Sequence, residues 1–357
     1  MKRRDPAGEV SLAGRELEPV IKTYDKYYEL LKELAAEMAE NLSKLINRVG
    51  SLSPDLRKIL PITRLRKVPT QDLRVSAVDA GSNGKDLMLG YQPVSIAVGA
   101  TFLGVNKLGR PIIATVKPPK AYFDDEEGRK FSSLLGYYLM YRVALRLVEH
   151  SDILLLDGPL YLPRNYYGPG GRNHSPAYLE VYDRALQTLG SLLRLARVSG
   201  VPVVGIVKRV RSTYLAAWLG LDRYPDSLLS TTLLGEGEAV GPVPIVSRWE
   251  DMVPWLDRPS MYRPWALYIR RGAKPFRLDI PEYALEGSDK LASVIYSLSE
   301  PSTGLPIPVI AVDRLSKLTD KQASLMYRLM LGDLSSKIGI EGVDRTAIFS
   351  LQRGEVD

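Results

Sequence analysis

RVSAVDAGSNG, residues 74–84, ends a short apolar run in an aspartate and follows it with Gly-Ser-Asn-Gly. Three readings are open for Asp79. It can be an ordinary strand-to-turn residue, since Asp side chains bond nearby backbone N–H groups. It can open a loop that holds a nucleotide phosphate. It can also ligate a metal ion at the end of a sheet strand. The surrounding pattern decides between them. Val75–Asp79 reads as a strand, Leu87–Leu103 as a second and Pro111–Val116 as a third, with Asn106–Arg110 as a turn. Connections this short favour an antiparallel meander, because parallel neighbours need a crossover of a dozen residues.

Downstream the texture changes. Gly128–His150 is amphipathic and reads as a helix, Asp152–Leu156 (DILLL) as a strand buried on both faces, and residues 176–199 as a helix with Ser175 as N-cap. Val201–Val207 (VPVVGIV) is a further buried strand. Helical crossovers make these last two strands parallel to the first. The predicted class is α/β: a ribonuclease H-like mixed sheet of three antiparallel strands, then parallel strands, with the Asp79 strand inside it. An N-terminal helical arm and basic connector occupy 1–70, with a helical stripe over 16–48 and RKILPITRLR at 57–66 as a proline-broken connector. The main domain spans 71–340, with an irregular insertion at about 212–300, and a tail follows at 341–357. Within the domain, Ala266–Arg270 and Phe276–Ile280 flank RGAKP as a hairpin. LPIPVIAV (305–312) reads as a last strand, and Thr319 to Gln322 as a capping box that opens a helix.

Composition narrows the chemistry. At 357 residues, with 45% hydrophobic and 25% charged, the chain has material for a sizeable core. No apolar run approaches the roughly 18–20 residues that span a bilayer. The basic N-terminus lacks an apolar signal segment, so a cytoplasmic location is expected. Zero cysteines exclude disulfides and thiolate sites, and two histidines leave oxygen donors as the main ligands. Forty-eight Lys and Arg against 41 Asp and Glu suit a polyanionic partner such as DNA. Twenty-five prolines without cysteine suit a thermophile.

The motif of a hydrophobic run closed by Asp recurs at Asp79 (SAVDAG), Asp157 (LLLDGP) and Asp313 (IAVDRL). Singly, each fits a turn. Repeated on neighbouring strands, the carboxylates converge on one crevice, and their mutual repulsion calls for a divalent cation, Mg2+ or Mn2+. Such ions serve phosphodiester hydrolysis. Lys208, Arg209 and Arg211 (VKRVRSTY) follow the fifth strand, where they can position phosphates or form a solvated charge run. Arg270 and Arg271, with Lys274 and Arg277, alternate with Tyr268 and Phe276, a pattern that serves either single-strand stacking or core packing. His174 reads as a loop residue. YYGPGGRN lacks the Gly-Lys-Ser/Thr of a phosphate loop and reads as a flexible loop.

AVDAGS, LLLDGPLY, GIVKRVRST and PIPVIAVDRLSK, in this order, resemble the archaeal NurA DNA-repair nucleases over about residues 72–330. The resemblance implies a homodimer with a ribonuclease H-like core and a site of two Mn2+ (or Mg2+) ions. It implies single-strand endonuclease and 5'-3' exonuclease activity in end resection of double-strand breaks, with the hexameric translocase HerA as partner. Asp79 and Asp157 stand where the family has its metal aspartates, and Lys208 where it has a lysine. Asp313 replaces the family's late histidine. Met140 stands where a metal-binding Glu is usual, with Glu126, Glu127 and Glu149 as candidate substitutes. Leu305 stands where a tyrosine is usual. These departures carry an alternative expectation, a weakened or inactive subunit that binds DNA or the translocase. A further alternative is an actin- or sugar-kinase-like phosphotransferase, whose first-strand Asp-x-Gly turn DAGSN imitates.

Overall fold

The computed structural model describes residues 26–87, 90–116, 125–163, 166, 174–221, 224–245 and 249–338. The chain forms two compact units, residues 1–52 and 53–357. A long helix, α1, spans Tyr27–Ile59. Its Leu34, Met38, Leu42 and Ile46 recur at helical spacing and are exposed. The predicted connector at 57–66 is different in form. Arg57–Ile59 close α1, and Ile62–Arg64 (β1) pair with a later strand. Arg57 is fixed by a two-pronged pairing to Glu238, at 2.9 and 3.0 Å.

The second unit is built on β2 (Arg74–Leu87), β3 (Gly90–Leu103) and β4 (Asn106–Thr115), an antiparallel meander as expected. Its turn falls at Gly104, with φ +59°, rather than at Asn106–Arg110, which belong to β4. Helix α2 (Asp125–Leu147) leads to β5 (Ile153–Asp157), and α3 (Pro176–Val198) to β6 (Val203–Val207). Both crossovers return parallel, β2 with β5 and β5 with β6. Ser175 caps α3 by accepting from the Tyr178 N–H at 3.3 Å.

The stretch read as irregular contributes to the same sheet. After two short helices, α4 (Tyr214–Trp218) and α5 (Asp226–Leu233), come β7 (Glu238–Pro244), β8 (Pro264–Arg271) and β9 (Lys274–Pro281). The β8–β9 hairpin is as predicted, with Gly272 at φ +72° in its turn. The nine strands lie in the order β1-β7-β8-β9-β6-β5-β2-β3-β4. Helix α6 (Ser288–Leu298) follows, then α7 (Ile307–Ser316) and α8 (Asp320–Ile338).

The predicted last strand, 305–312, is instead α7. A short apolar run does not by itself distinguish a buried strand from a buried helix. Pro306 and Pro308 sit before and within the first turn, where a missing N–H costs nothing. Pro308, Val309, Val312 and Ser316 are buried, a three-to-four spacing. The capping box holds. Thr319 N–H donates to Gln322 Oε1 at 2.9 Å, and Gln322 N–H to Thr319 Oγ1 at 3.3 Å. The glycine-rich loop at 167–173 and the tail at 341–357 lie outside the described residues.

Two cores flank the sheet. Val78, Leu154 and Leu156 face α2 and α3, while Val75, Ala77, Ile153 and Leu155 face α6 and α7. Alternation along β2 and β5 therefore aims odd-numbered residues at the α7 side. Asp79 and Asp157 are both odd.

Candidate metal centre

β2 does not turn at DAGSNG. It continues to Leu87, paired with β3 throughout, while its parallel partner β5 ends its register at Val78↔Leu156. Asp79 thus lies one residue beyond the last parallel pairing, where the strands diverge and a crevice opens. Gly81 and Gly84 are there for close approach, not for a turn. A Cβ on Gly81 would lie 1.9 Å from the Ser316 carbonyl oxygen, and one on Gly84 would strike the Tyr91 ring at 2.2 Å. Gly81→Ala is expected to push the end of α7, and Asp313 with it, out of place. Mn2+ affinity measured by calorimetry should therefore fall while far-UV circular dichroism stays native. Wild-type Mn2+ affinity in the variant would show that α7 does not position the site.

Asp79, Asp157 and Asp313 offer carboxylate oxygens that all lie within 4.8 Å of one another. Asp79 comes from within β2 just past its last pairing with β5, Asp157 from the end of β5, and Asp313 from α7, exposed at the cleft rim. Lys208, one residue past β6, joins them. Its ammonium is 2.5 Å from Asp157 Oδ2 and 3.0 Å from Asp313 Oδ1. Ser316 Oγ donates to Asp79 Oδ2. Ser316 went unnoticed in the sequence because it lies three residues after Asp313, a same-face relation only on a helix. The cleft holds about 570 Å³ and is lined by the three aspartates, Lys208, Arg209 and the Ser316–Leu318 turn.

Electrostatics mark this as a place that wants a cation. Burial, and then the charge of Asp79, push the Asp157 carboxyl up to about 7 despite Lys208. Burial also raises Asp79, against the Ser316 hydroxyl and the lysine, which favour its charged form. Burial works to lower Lys208, but the charge and hydrogen bond of Asp157 outweigh it and raise it. An all-oxygen donor set at this spacing fits a hard divalent ion such as Mg2+ or Mn2+.

The remaining predicted residues are distributed differently. Arg209 lines the cleft. Arg211 faces an adjoining cavity. Arg270 instead caps α5, donating to the Thr231 and Leu234 carbonyls at 3.0 and 2.7 Å. Arg271 is buried against Glu236 and Tyr296, at 3.0 and 2.8 Å. Neither reaches the aspartates. Met140 is a buried part of the α2-side core and lines a separate cavity of about 200 Å³ with Tyr137, Ser133 and Asp157. Leu305 packs against the α7-side core. Glu126 pairs with Lys130, and Glu127 accepts from Ser175 N–H beside His174, which stacks on Tyr178. Among the described residues the acidic group that can hold a metal contains the three aspartates and no glutamate.

The crystal structure of the NurA nuclease from Sulfolobus solfataricus superposes with a TM-score of 0.65 at 14% identity, covering 89% of this chain and 99% of that one. A crystal structure of NurA with manganese superposes at 0.55 with 10% identity, over 85% and 98% of the two chains. Identities this low speak for a shared fold. No curated protein matches the chain. The family model of the NurA domain matches residues 73–318, well over half of the sequence, and the chain belongs to the NurA family.

Proposed function

We propose that this protein is a metal-dependent DNA nuclease. The observation that carries the reading is the convergence of Asp79, Asp157 and Asp313 from three separate elements onto one open cleft beside Lys208. The relatives' descriptions as a nuclease and as a manganese-containing structure support it, as does the excess of basic residues. Asp79, Asp157 and Asp313 would hold Mn2+ or Mg2+, two ions in our reading, which supply a hydroxide-like nucleophile and stabilise the leaving oxygen. The chain's own groups orient and balance charge. Ser316 fixes the Asp79 carboxylate. Lys208, held by two carboxylates, presents an ammonium to the phosphate, and Arg209 extends that positive charge along the cleft wall.

The finer reading assigns single-strand endonuclease and 5'-3' exonuclease activity in end resection, in a homodimer working with a HerA-type translocase. The exposed apolar stripe of α1 supports self-association. Incubation with Mn2+ and end-labelled linear or circular single-stranded DNA tests the activity. Cleavage of both is expected, and intact DNA would overturn the reading. A second reading, a weakened subunit that binds DNA or the translocase, is favoured by Met140, a thioether in the cavity touching Asp157 where the family has a carboxylate. It predicts DNA binding with no cleavage that depends on Asp157.

Metal binding should depend on pH. Asp157 must be ionised to ligate, and its folded-state value near 7 means protons compete below that pH. Mn2+ affinity measured by calorimetry should drop about tenfold per unit below pH 7 and level off above it. Equal affinity at pH 6 and 8 would remove Asp157 from the ligand set.

A further inference from the structure

A second cavity adjoins the metal cleft. It holds about 460 Å³ and shares Pro159, Val207 and Arg209 with the cleft, so the two form one trench. Its other walls include Tyr161, Arg211, Tyr214 and the Arg277–Asp279 pair. The volume lies within the roughly 300–1,000 Å³ of small-ligand sites, a size that suits a single nucleotide.

The floor is unusual. Arg277 and Asp279 lie two apart on β9 and are both buried, joined at 2.6 Å (Nε to Oδ1) and 3.1 Å (Nη2 to Oδ2). Asp279 Oδ2 also accepts from Leu160 N–H at 3.3 Å. Arg277 Nη1 donates to Ser212 Oγ at 2.7 Å, and its guanidinium lies 5.0 Å from the Tyr214 ring centre. Ser212 in turn donates to the buried Asp226 at 2.7 Å, which also receives Tyr214 N–H, Ala216 N–H and the Tyr268 hydroxyl. This network anchors residues 212–216 and so holds the preceding segment that carries Lys208, Arg209 and Arg211. By contrast the side chains of Arg209 and Arg211 are exposed and have no ion pair among the described residues. Two exposed cations and an aromatic wall on a rigid floor, continuous with the metal cleft, match the chemistry of a stacked, backbone-tracked single strand.

We infer that this cavity is a second nucleotide subsite, which takes the unpaired nucleotide next to the scissile phosphate, with its base against Tyr214 and its phosphate on Arg211. Arg209 bridges the two subsites. The inference rests on the DNA-nuclease reading and goes beyond it by placing a neighbouring nucleotide in a named pocket. It accounts for an aromatic side chain and an exposed cation lining a cavity that shares Pro159, Val207 and Arg209 with the metal cleft.

Binding of a fluorescent dT10 oligonucleotide, measured by anisotropy with Ca2+ replacing the reactive metal, tests it. Arg211→Glu is expected to weaken dT10 binding about tenfold and to reduce the salt dependence by roughly one phosphate contact, with Arg211→Lys recovering most of the loss. Folding should be unaffected, since the guanidinium is exposed. A second measurement leaves the protein intact: dT10 carrying 5-iodouracil at successive positions is photocrosslinked and the adduct mapped by mass spectrometry. Adducts on Tyr214 from positions adjacent to the cleaved bond are expected. Wild-type dT10 binding by Arg211→Glu, or adducts confined to peptides away from 159–163 and 207–216, would overturn the subsite. If the wild type cleaves DNA and these results fail, the nuclease reading stands and the subsite falls. If the wild type does not cleave, a Tyr214 adduct still identifies a single-strand site.

Discussion

Asp157→Asn is expected to reduce Mn2+-dependent DNA cleavage by about 10³-fold or more, because it removes one of the three carboxylate charges proposed to hold the metal. The substitution keeps the shape of the side chain, so the loss would not come from unfolding. Stability should move the other way. The Asp157 carboxyl titrates near 7 in the fold against 3.8 as its ordinary value. The folded state therefore binds the proton more tightly than the unfolded chain, and metal-free wild type loses stability as pH rises from about 4 to about 7. Above pH 7 the ionised carboxylate opposes folding, and Asn does not. Thermal melts in EDTA at pH 8 should thus show Asp157→Asn at least as stable as wild type, with a flatter pH profile between 4 and 7. Added Mn2+ should raise the melting temperature of wild type only. Undiminished cleavage by the variant would dismiss the site. A variant that melts well below wild type at pH 8 would mean that the Lys208 pair outweighs the repulsion from Asp79.

Asp279→Ala should be strongly destabilising. It leaves the Arg277 guanidinium buried without its two-pronged partner. Burial alone lowers the affinity of that group for its proton, and the Asp279 carboxylate at present outweighs this and holds it charged. Breaking one side of a buried pair costs about 3–5 kcal/mol. Replacing both partners, Arg277→Met with Asp279→Leu, removes the stranded charge and should recover most of the loss, less the bond to Ser212. Urea unfolding of the two variants measures the difference. A cost below about 1 kcal/mol for Asp279→Ala would mean that water reaches the guanidinium and the pair is not sealed.

The β9 segment shows how far a sequence reading extends. In FRLDI the apolar residues Phe276, Leu278 and Ile280 alternate with Arg277 and Asp279. That pattern correctly identifies a strand with one face toward a core, since Phe276, Leu278 and Ile280 all sit in the α7-side cluster. It also suggests that the other face meets water, and there it is wrong. The loop after β5 crosses at Gly205, where a Cβ would lie 2.4 Å from Leu160 N, and its Leu160 N–H bonds Asp279, so the Arg–Asp pair is buried at the base of the second cavity. The decision belongs to a segment some 120 residues earlier in the chain. Arg270 and Arg271 show the same limit. Interleaved cations and aromatics read as a nucleic-acid surface, while the fold turns one to helix carbonyls and the other to Glu236.

The carboxylate site divides in the same way. Local periodicity and short connections determined the meander, the two parallel crossovers and Asp157 at the end of β5, because those signals are short-range and repeat every two or every 3.6 residues. Asp79, by contrast, read as closing its strand, lies inside β2 just past its last pairing with β5. Asp313 was identified for a partly mistaken reason. It ends an apolar run as the others do, yet that run is a helix, and it reaches the site because α7 packs on the face to which odd positions of β2 and β5 point. Ser316 at Asp79 and Lys208 between Asp157 and Asp313 follow from that packing. By itself the sequence determined most of the central elements, though not the helical form of α7 or the placing of β1 and β7 in the sheet, and which residues could carry charge into a cleft. Only the tertiary structure decided which of those charges meet, because that depends on side chains brought together from positions between 51 (Asp157 and Lys208) and 237 (Asp79 and Ser316) residues apart, where no local pattern records the distance.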